Sequence, residues 1–380
     1  MPFMSSVKRF GILPSMAILA LSVGLINHVL IGPLLLDAAG RDAWLAVFVS
    51  LGLILPWGLI PFMNLLNKLK HKRIDYWLKD RLPPFLVWLI MAYFLLIMFM
   101  IATETLVVTT SWSGTTYLPR TPNVVLCLVF VCLCMYAALN GLRTIAFMSC
   151  ILIPFVVLLG DFVMTTNMPH KDYRYLLPML ENGAMPVIKA VVYLLTSFSE
   201  LFYILLFQHH LSGSYNRKHM LVLVLFLALL ALGPVAGAIA EFGPVEAEKM
   251  RYPAFSQWRL VSIGKYFEHV DFFAIYQWLS GALIRTSLAI YLILEYSGIK
   301  QMKRQWLGVS VLGAALTGIA YYWVSHMVDY REVILWVYTW FGILTMSVVL
   351  VVYAISFMKA RRGGNERQHH RSGNVEENRG

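Results

Sequence analysis

Apolar runs of about twenty residues recur along nearly the whole chain, separated by short clusters of basic, Gly and Pro residues. A helix of that length crosses about 30 Å of hydrocarbon at about 1.5 Å per residue. Helices also satisfy their own backbone hydrogen bonds where water is absent. The pattern predicts an all-α polytopic membrane protein with ten transmembrane helices, over residues 11–36, 43–66, 84–111, 122–140, 144–164, 186–207, 218–240, 271–294, 306–325 and 333–357. The fourth and fifth are separated only by Gly141, Leu142 and Arg143. The first run follows Lys8 and Arg9, is too long for a secretory signal core, and reads as an uncleaved span.

Three stretches lie outside this pattern. Residues 67–83 form a basic loop in which Ile74, Trp77 and Leu78 have helical spacing, which predicts a short helix at the membrane surface. Residues 241–270 are the longest outer loop, with Ser262–Val270 expected to be helical. The polar Gly/Asn-rich tail 361–380 is expected to be disordered. Residues 1–360 thus read as one transmembrane domain.

Composition agrees with a membrane protein. Of 380 residues, 59% are hydrophobic and 13% charged, against about 25% charged in soluble proteins. The net charge of +11 is no signal for nucleic acid, because the basic residues cluster just outside the apolar runs, where they face anionic lipid. Of the 31 Lys and Arg, twenty fall on the side of the two termini, ten on the other, and one, Arg285, inside the eighth span. The excess places both termini in the cytoplasm.

Familiar enzyme signatures (HExxH, GxSxG, a Walker loop) do not occur. Gly160–Asp161 has no second suitable aspartate to make an aspartyl protease, so no enzyme is expected, and no cofactor. Cys127, Cys132, Cys134 and Cys150 all lie in apolar runs and read as small fillers. His209–His210 reads as an interfacial pair at a cytoplasmic span end, and no metal site is expected.

What remains is irregular helix and rare intramembrane charge. The first span carries Ser22, Val23, Gly24, Leu25, Ile26, Asn27 and His28, then Gly32–Pro33. Gly weakens the helix, Pro removes a donor, and Asn and His are costly in lipid. A break near 23–28 would free backbone groups at mid-depth to line a cavity. The alternative is a proline kink with Asn27 bonded to a neighbouring helix. The sixth span is interrupted by Thr196, Ser197, Phe198, Ser199 and Glu200, three hydroxyls and an acid that costs about 2.5–3.5 kcal/mol there unless paired or protonated.

In the third span Thr103 flanks Glu104, which shares a helix face with Tyr93 eleven residues earlier. Glu104 either carries a proton or ion or is a structural hydrogen-bonded acid. Arg285 either pairs with an intramembrane acid or snorkels to the interface. Gly233-Pro234-Val235-Ala236-Gly237 matches a small-xxx-small contact and reads as ordinary close packing. The interrupted first and sixth spans occupy corresponding places if ten spans divide five plus five. Five being odd, the halves 11–164 and 186–357 would form an inverted repeat with a central site between two broken helices.

The chain resembles the endospore germination permease family, the B-type subunits of spore nutrient-germinant receptors, themselves similar to amino acid–polyamine–organocation permeases. The residues that carry the resemblance are the run Asp37–Trp44, the run Leu176–Gly183, Phe198-Ser199-Glu200, Phe242–Gly243, Arg251-Tyr252-Pro253 and the run Ile263–Asp271. This chain departs from the family's glycine-rich first-span break with Ile26-Asn27-His28, and from its Phe-Glu pair with Ser199 before Glu200. The resemblance implies a multi-pass protein of the inner spore membrane. It would bind a small nutrient such as an amino acid and act with an A-type membrane subunit and a C-type lipoprotein. Freed N–H groups of the first span would hold the nutrient's carboxylate, and Ser197 and Glu200 its amino group. The candidate ligand site is therefore Val23, Gly24, Leu25, Ile26, Asn27, Thr103, Glu104, Thr196, Ser197, Phe198, Ser199 and Glu200. A proton-coupled amino acid transporter using Glu104 or Glu200 is the alternative, and a structural subunit with an empty pocket a third reading.

Overall fold

The computed structural model describes residues 9–261 and 270–359. The tail 361–380 and all but the last residue of Ser262–Val270 lie outside the described residues. In chain order the helices are α1 (Ile12–Leu25), α2 (Gly32–Ala39), α3 (Ala43–Trp57), α4 (Met63–Leu69), α5 (Ile74–Lys79), α6 (Pro84–Thr116), α7 (Asn123–Leu139) and α8 (Leu142–Thr166). They continue with α9 (Ala184–Ser199), α10 (Tyr203–Phe207), α11 (Arg217–Phe242), α12 (Pro244–Lys249), α13 (Pro253–Arg259), α14 (Phe273–Tyr296), α15 (Gln305–Ser325) and α16 (Met327–Ile355). Among the described residues, eight helical runs are long and apolar enough to cross a membrane, and α7 is a shorter apolar helix. This is a multi-pass membrane protein.

One of the eight runs is Ile12–Leu69, 58 residues long. At about 1.5 Å per residue a straight helix of that length would be nearly three times the hydrocarbon thickness. It turns at Gly40, whose φ of 50° few other residues adopt, and α2 and α3 on either side of the corner both pack on α9. A second positive-φ glycine, Gly141, separates α7 from α8. The short surface helix forms as α5, with Ile74, Trp77 and Leu78 buried and the helix seated on α6. In the loop that follows α11, α12 and α13 pack on α11.

The two most enclosed spans are those containing α9–α10 and α14; the latter packs on α1, α6, α7 and α8. The run containing α8 and the helix α15 are peripheral, with residues such as Phe155, Leu158, Val311 and Tyr322 exposed, as a lipid-facing surface requires. The two most enclosed spans thus carry Glu200 and Arg285, as the cost of polar groups in a bilayer demands.

The first and sixth spans are distorted, but neither is unwound. After Leu25 the first makes one π turn, Ile26–Leu30, closed by Ile31 N–H donating to the Ile26 carbonyl at 2.9 Å. The sixth tightens into a 3-10 turn at Glu200–Phe202. A π or 3-10 turn absorbs the misfit of Pro33 and of the hydroxyl cluster while keeping most backbone groups paired. The free N–H groups expected at 23–28 are therefore largely engaged.

Candidate functional site

Arg285, fully buried in α14, organises the centre of the bundle. Its Nη2 donates to Glu104 Oε2 on α6 at 2.8 Å and to Glu200 Oε1 in the 3-10 turn at 2.6 Å. The Tyr338 hydroxyl on α16 donates to Glu104 Oε1 at 2.6 Å. Pairing explains how the three charges tolerate burial, and Arg285 does not snorkel. Two carboxylates for one guanidinium leave an excess negative charge when all three ionise. A proton on one acid or a cationic group from a ligand balances it.

Beside the cluster lies a cavity of about 170 Å³, lined by Glu104, Glu200, Thr196, Ser199, Tyr330 and Tyr338 among others. Among the described residues, Glu200 Oε2 and the Tyr330 hydroxyl are buried without a partner, and a buried polar atom left unpaired costs about 1–3 kcal/mol. The volume is below the about 300–1,000 Å³ typical of drug-sized pockets and suits a small polar molecule.

A larger, mostly apolar cavity of about 540 Å³ lies between α1, α8, α11 and α14, lined by Gly24, Leu25, His28, Gly160, Gly233 and Trp278 among others. Gly233 has open space where a Cβ would stand, and Gly237 abuts the Gln257 side chain. Of this small-xxx-small pair, Gly233 therefore opens onto the hollow, whereas Gly237 keeps the close packing expected of it, against Gln257 of α13. Near Gly237, burial pushes the Lys171 ammonium below the ordinary lysine range, opposed by Glu241 at 4.0 Å.

Of the twelve candidate residues, Ile26, Thr103, Glu104, Thr196, Ser199 and Glu200 line the smaller cavity, and Gly24 and Leu25 line the larger one. Val23, Asn27, Ser197 and Phe198 border neither. Ser197 instead donates its hydroxyl to Asn27 Oδ1, and Asn27 Nδ2 donates to the Leu227 carbonyl on α11 at 3.1 Å. Asn27 is thus bonded to neighbouring helices, as the kinked-helix alternative anticipates, and the two are a bridge between spans. Several hydroxyls are spoken for: Thr103 donates to the Phe99 carbonyl at 2.9 Å, and Ser199 to the Thr196 carbonyl at 2.7 Å. Thr196 donates to the Tyr338 carbonyl at 2.8 Å and accepts from Gly342 N–H at 3.0 Å.

Sequence reasoning missed Tyr330 and Tyr338. Their signal is faint: Tyr330, Tyr338 and Thr345 recur at eight and seven residues, which places them on one helix face. The shared face of Tyr93 and Glu104 is real in the structure. Both reach α16, Tyr93 through Thr345 at 2.9 Å and Glu104 through Tyr338.

The sequence profile of a family described as spore germination protein matches residues 14–322. The chain belongs to the spore germination protein family. It is 38% identical over 316 residues to spore germination protein XB of Bacillus anthracis, covering 80% of this chain and 88% of that one. It is also 27% identical over 286 residues to the putative spore germination protein YfkT of Bacillus subtilis (strain 168), covering 73% and 75%. The matched region contains Glu104, Glu200 and Arg285, whereas Tyr330 and Tyr338 lie beyond it.

Proposed function

We propose that the protein is the B-type membrane subunit of a spore germinant receptor. It binds a small nutrient, an amino acid, in the cavity beside Glu104 and Glu200 and signals germination through its partner subunits. The observation that carries this reading is the excess acid: two buried carboxylates share one guanidinium nitrogen at the edge of a small cavity. A nutrient's ammonium supplies the missing positive charge at Glu200 Oε2, and the Tyr330 hydroxyl is a donor for its carboxylate. Binding favours one arrangement of the bundle, and that population shift passes to an A-type subunit and a C-type lipoprotein. The basic-residue excess supports cytoplasmic termini, and the family supports the inner spore membrane.

Ten crossings in a five-plus-five inverted repeat belong to the same reading. The Gly40 corner divides Ile12–Leu69 into two passes, and α7 supplies another. Exchanging the halves maps α1 onto α9, α3 onto α11, α6 onto α14, α7 onto α15 and α8 onto α16. Helix contacts respect that exchange in several places: α1–α8 is matched by α9–α16, α7–α14 by α15–α6, and α3–α9 by α11–α1. The pairs α3–α11, α6–α14 and α7–α15 map onto themselves and are all in contact. The domain then spans 1–360, with 361–380 as a tail.

Direct binding of radiolabelled amino acids to the purified chain tests the proposal. Saturable binding that is lost in Glu200→Gln is expected; no binding by any amino acid, or binding indifferent to Glu104→Gln and Glu200→Gln, overturns it. The shared proton-acceptor geometry of Glu104 and Glu200 favours one second reading, a proton-coupled amino acid transporter. Substrate-driven proton uptake into proteoliposomes, abolished in Glu104→Gln, would establish that instead of a pure sensor.

A further inference from the structure

Away from the central cavity, the 3-10 turn Gln208–His210 that follows α10 meets the last turn of α14 at Glu295. His209 Nε2 lies 3.0 Å from Glu295 Oε1, and His210 Nε2 lies 3.0 Å from the same oxygen and 3.2 Å from Oε2. The ligand atoms of all three residues fall within 4.8 Å of one another. Their side chains are only 10–11% exposed. The adjacent histidines read from sequence as an interfacial pair because the acid that completes the set is 85 residues away from His210.

We infer that His209, His210 and Glu295 form a binding site for a transition-metal dication of the zinc class. The spacing is the first argument. Metal–nitrogen and metal–oxygen bonds of about 2.0–2.2 Å in tetrahedral geometry put neighbouring ligand atoms about 3.3–3.6 Å apart. The two histidine–carboxylate separations of 3.0–3.2 Å need a few tenths of an ångström of dilation, and all three ligand atoms lie within 4.8 Å of one another. The second argument is convergence: both imidazoles direct Nε2 at the one Glu295 carboxylate. With an ion, both nitrogen lone pairs and the carboxylate are used at once. Two histidines and one glutamate make a three-ligand set whose fourth position is open to water or to the Tyr291 hydroxyl, 3.3 Å from His210 Nε2.

Ligand chemistry selects among cations. Two imidazole nitrogens and one carboxylate disfavour Mg²⁺ and Ca²⁺, which require several oxygens, and leave imidazole-seeking metals. The Arg73 guanidinium, donating to Asp75 at 3.0 Å and to the Glu295 carbonyl at 3.2 Å, and the Lys300 ammonium, 4.3 Å from the Tyr291 ring centre, lower the affinity for any dication. His209 Nδ1 is buried without a partner, so one outer-shell hydrogen bond is missing and affinity falls below that of a fully supported site. An ion here ties the segment following Glu200 to the helix that carries Arg285.

The test uses the full chain purified in detergent, stripped with chelator and titrated with Zn²⁺ against a chromophoric competitor, and with Co²⁺ by visible absorption. Expected are one Zn²⁺ per chain, intense tetrahedral Co²⁺ bands, no competition from excess Mg²⁺, and about tenfold or greater weakening in His210→Ala and Glu295→Gln. Absence of stoichiometric Zn²⁺, or affinity unchanged in both variants, overturns the inference. If the variants do not remain monodisperse, X-ray absorption of the wild-type zinc complex decides. Histidine scattering with no sulfur supports the site, whereas sulfur or an all-oxygen octahedral shell overturns it.

Discussion

Arg285 Nη2 lies 2.6 Å from Glu200 Oε1 in the middle of the bundle, and the same nitrogen also reaches Glu104. A single donor group therefore holds three spans together, and the rest of the guanidinium, Nε and Nη1, is buried without partners among the described residues. The cluster is short of positive charge but not of buried donors, and it stands beside the smaller cavity.

Removing the cation exposes that coupling. Arg285→Met leaves two buried carboxylates facing each other, and breaking such a pair costs about 3–5 kcal/mol. Thermal unfolding in detergent should show the loss. The charge-neutral triple variant Glu104→Gln, Glu200→Gln, Arg285→Met should recover most of it. A triple variant no more stable than Arg285→Met would show that the cluster's charges are not what the fold responds to.

Tyr338→Phe removes the hydroxyl that donates to Glu104. Hydrogen bonds to charged groups contribute about 1.5–3 kcal/mol, so amino acid binding should weaken by about tenfold or more if Glu104 is held in place for the ligand. Isothermal titration of the purified variant measures this, and unchanged affinity would detach Tyr338 from the site.

At Gly342, α16 lies directly against α9. A Cβ there would overlap the backbone of Thr196, not a movable side-chain end. Overpacking of this kind costs about 1–3 kcal/mol, and Gly342→Ala should lower the midpoint of thermal unfolding accordingly. A variant as stable as the parent would mean that the two helices separate freely at this point.

The two cavities predict opposite outcomes for two small substitutions. Ser199→Leu projects into the cavity beside Glu200 and should abolish amino acid binding. Gly24→Ala meets only the far end of Leu230 in the larger apolar cavity and should leave binding within about twofold, since the movable methyl can give way. Equal loss in both variants would relocate the ligand to a space shared by the two hollows.

Asn27→Leu removes the amide that joins Ser197 to the Leu227 carbonyl. Unpairing buried polar groups costs about 1–3 kcal/mol, so stability should fall while the carboxylates at the cavity stay in place. A germination response that changes its preferred nutrient, with stability intact, would return Asn27 to the ligand.

Membrane-spanning helices were legible from the chain because the physics behind them is local: about twenty apolar residues, closed by charge, have one low-energy form in a bilayer. Irregularity in the first and sixth spans was equally legible from Gly24, Pro33 and the run Thr196–Glu200. Its form was not. Whether misfit becomes an unwound gap or a π turn depends on how neighbouring helices take up the backbone, and here Ile31 bonds back to Ile26. Partner choice was also beyond the sequence. Arg285 read from sequence as somewhat nearer snorkelling than pairing until α6, the Glu200 turn and α14 met, and Tyr338 carried no signal beyond its helix face. His209 and His210 acquired Glu295 in the same way. Short-range chemistry thus set which residues lie in the membrane and which are too polar to face lipid. Only the packing of distant helices decided which of those polar groups share a proton, a hydrogen bond or an ion, because such pairings form between residues 85 to 234 positions apart.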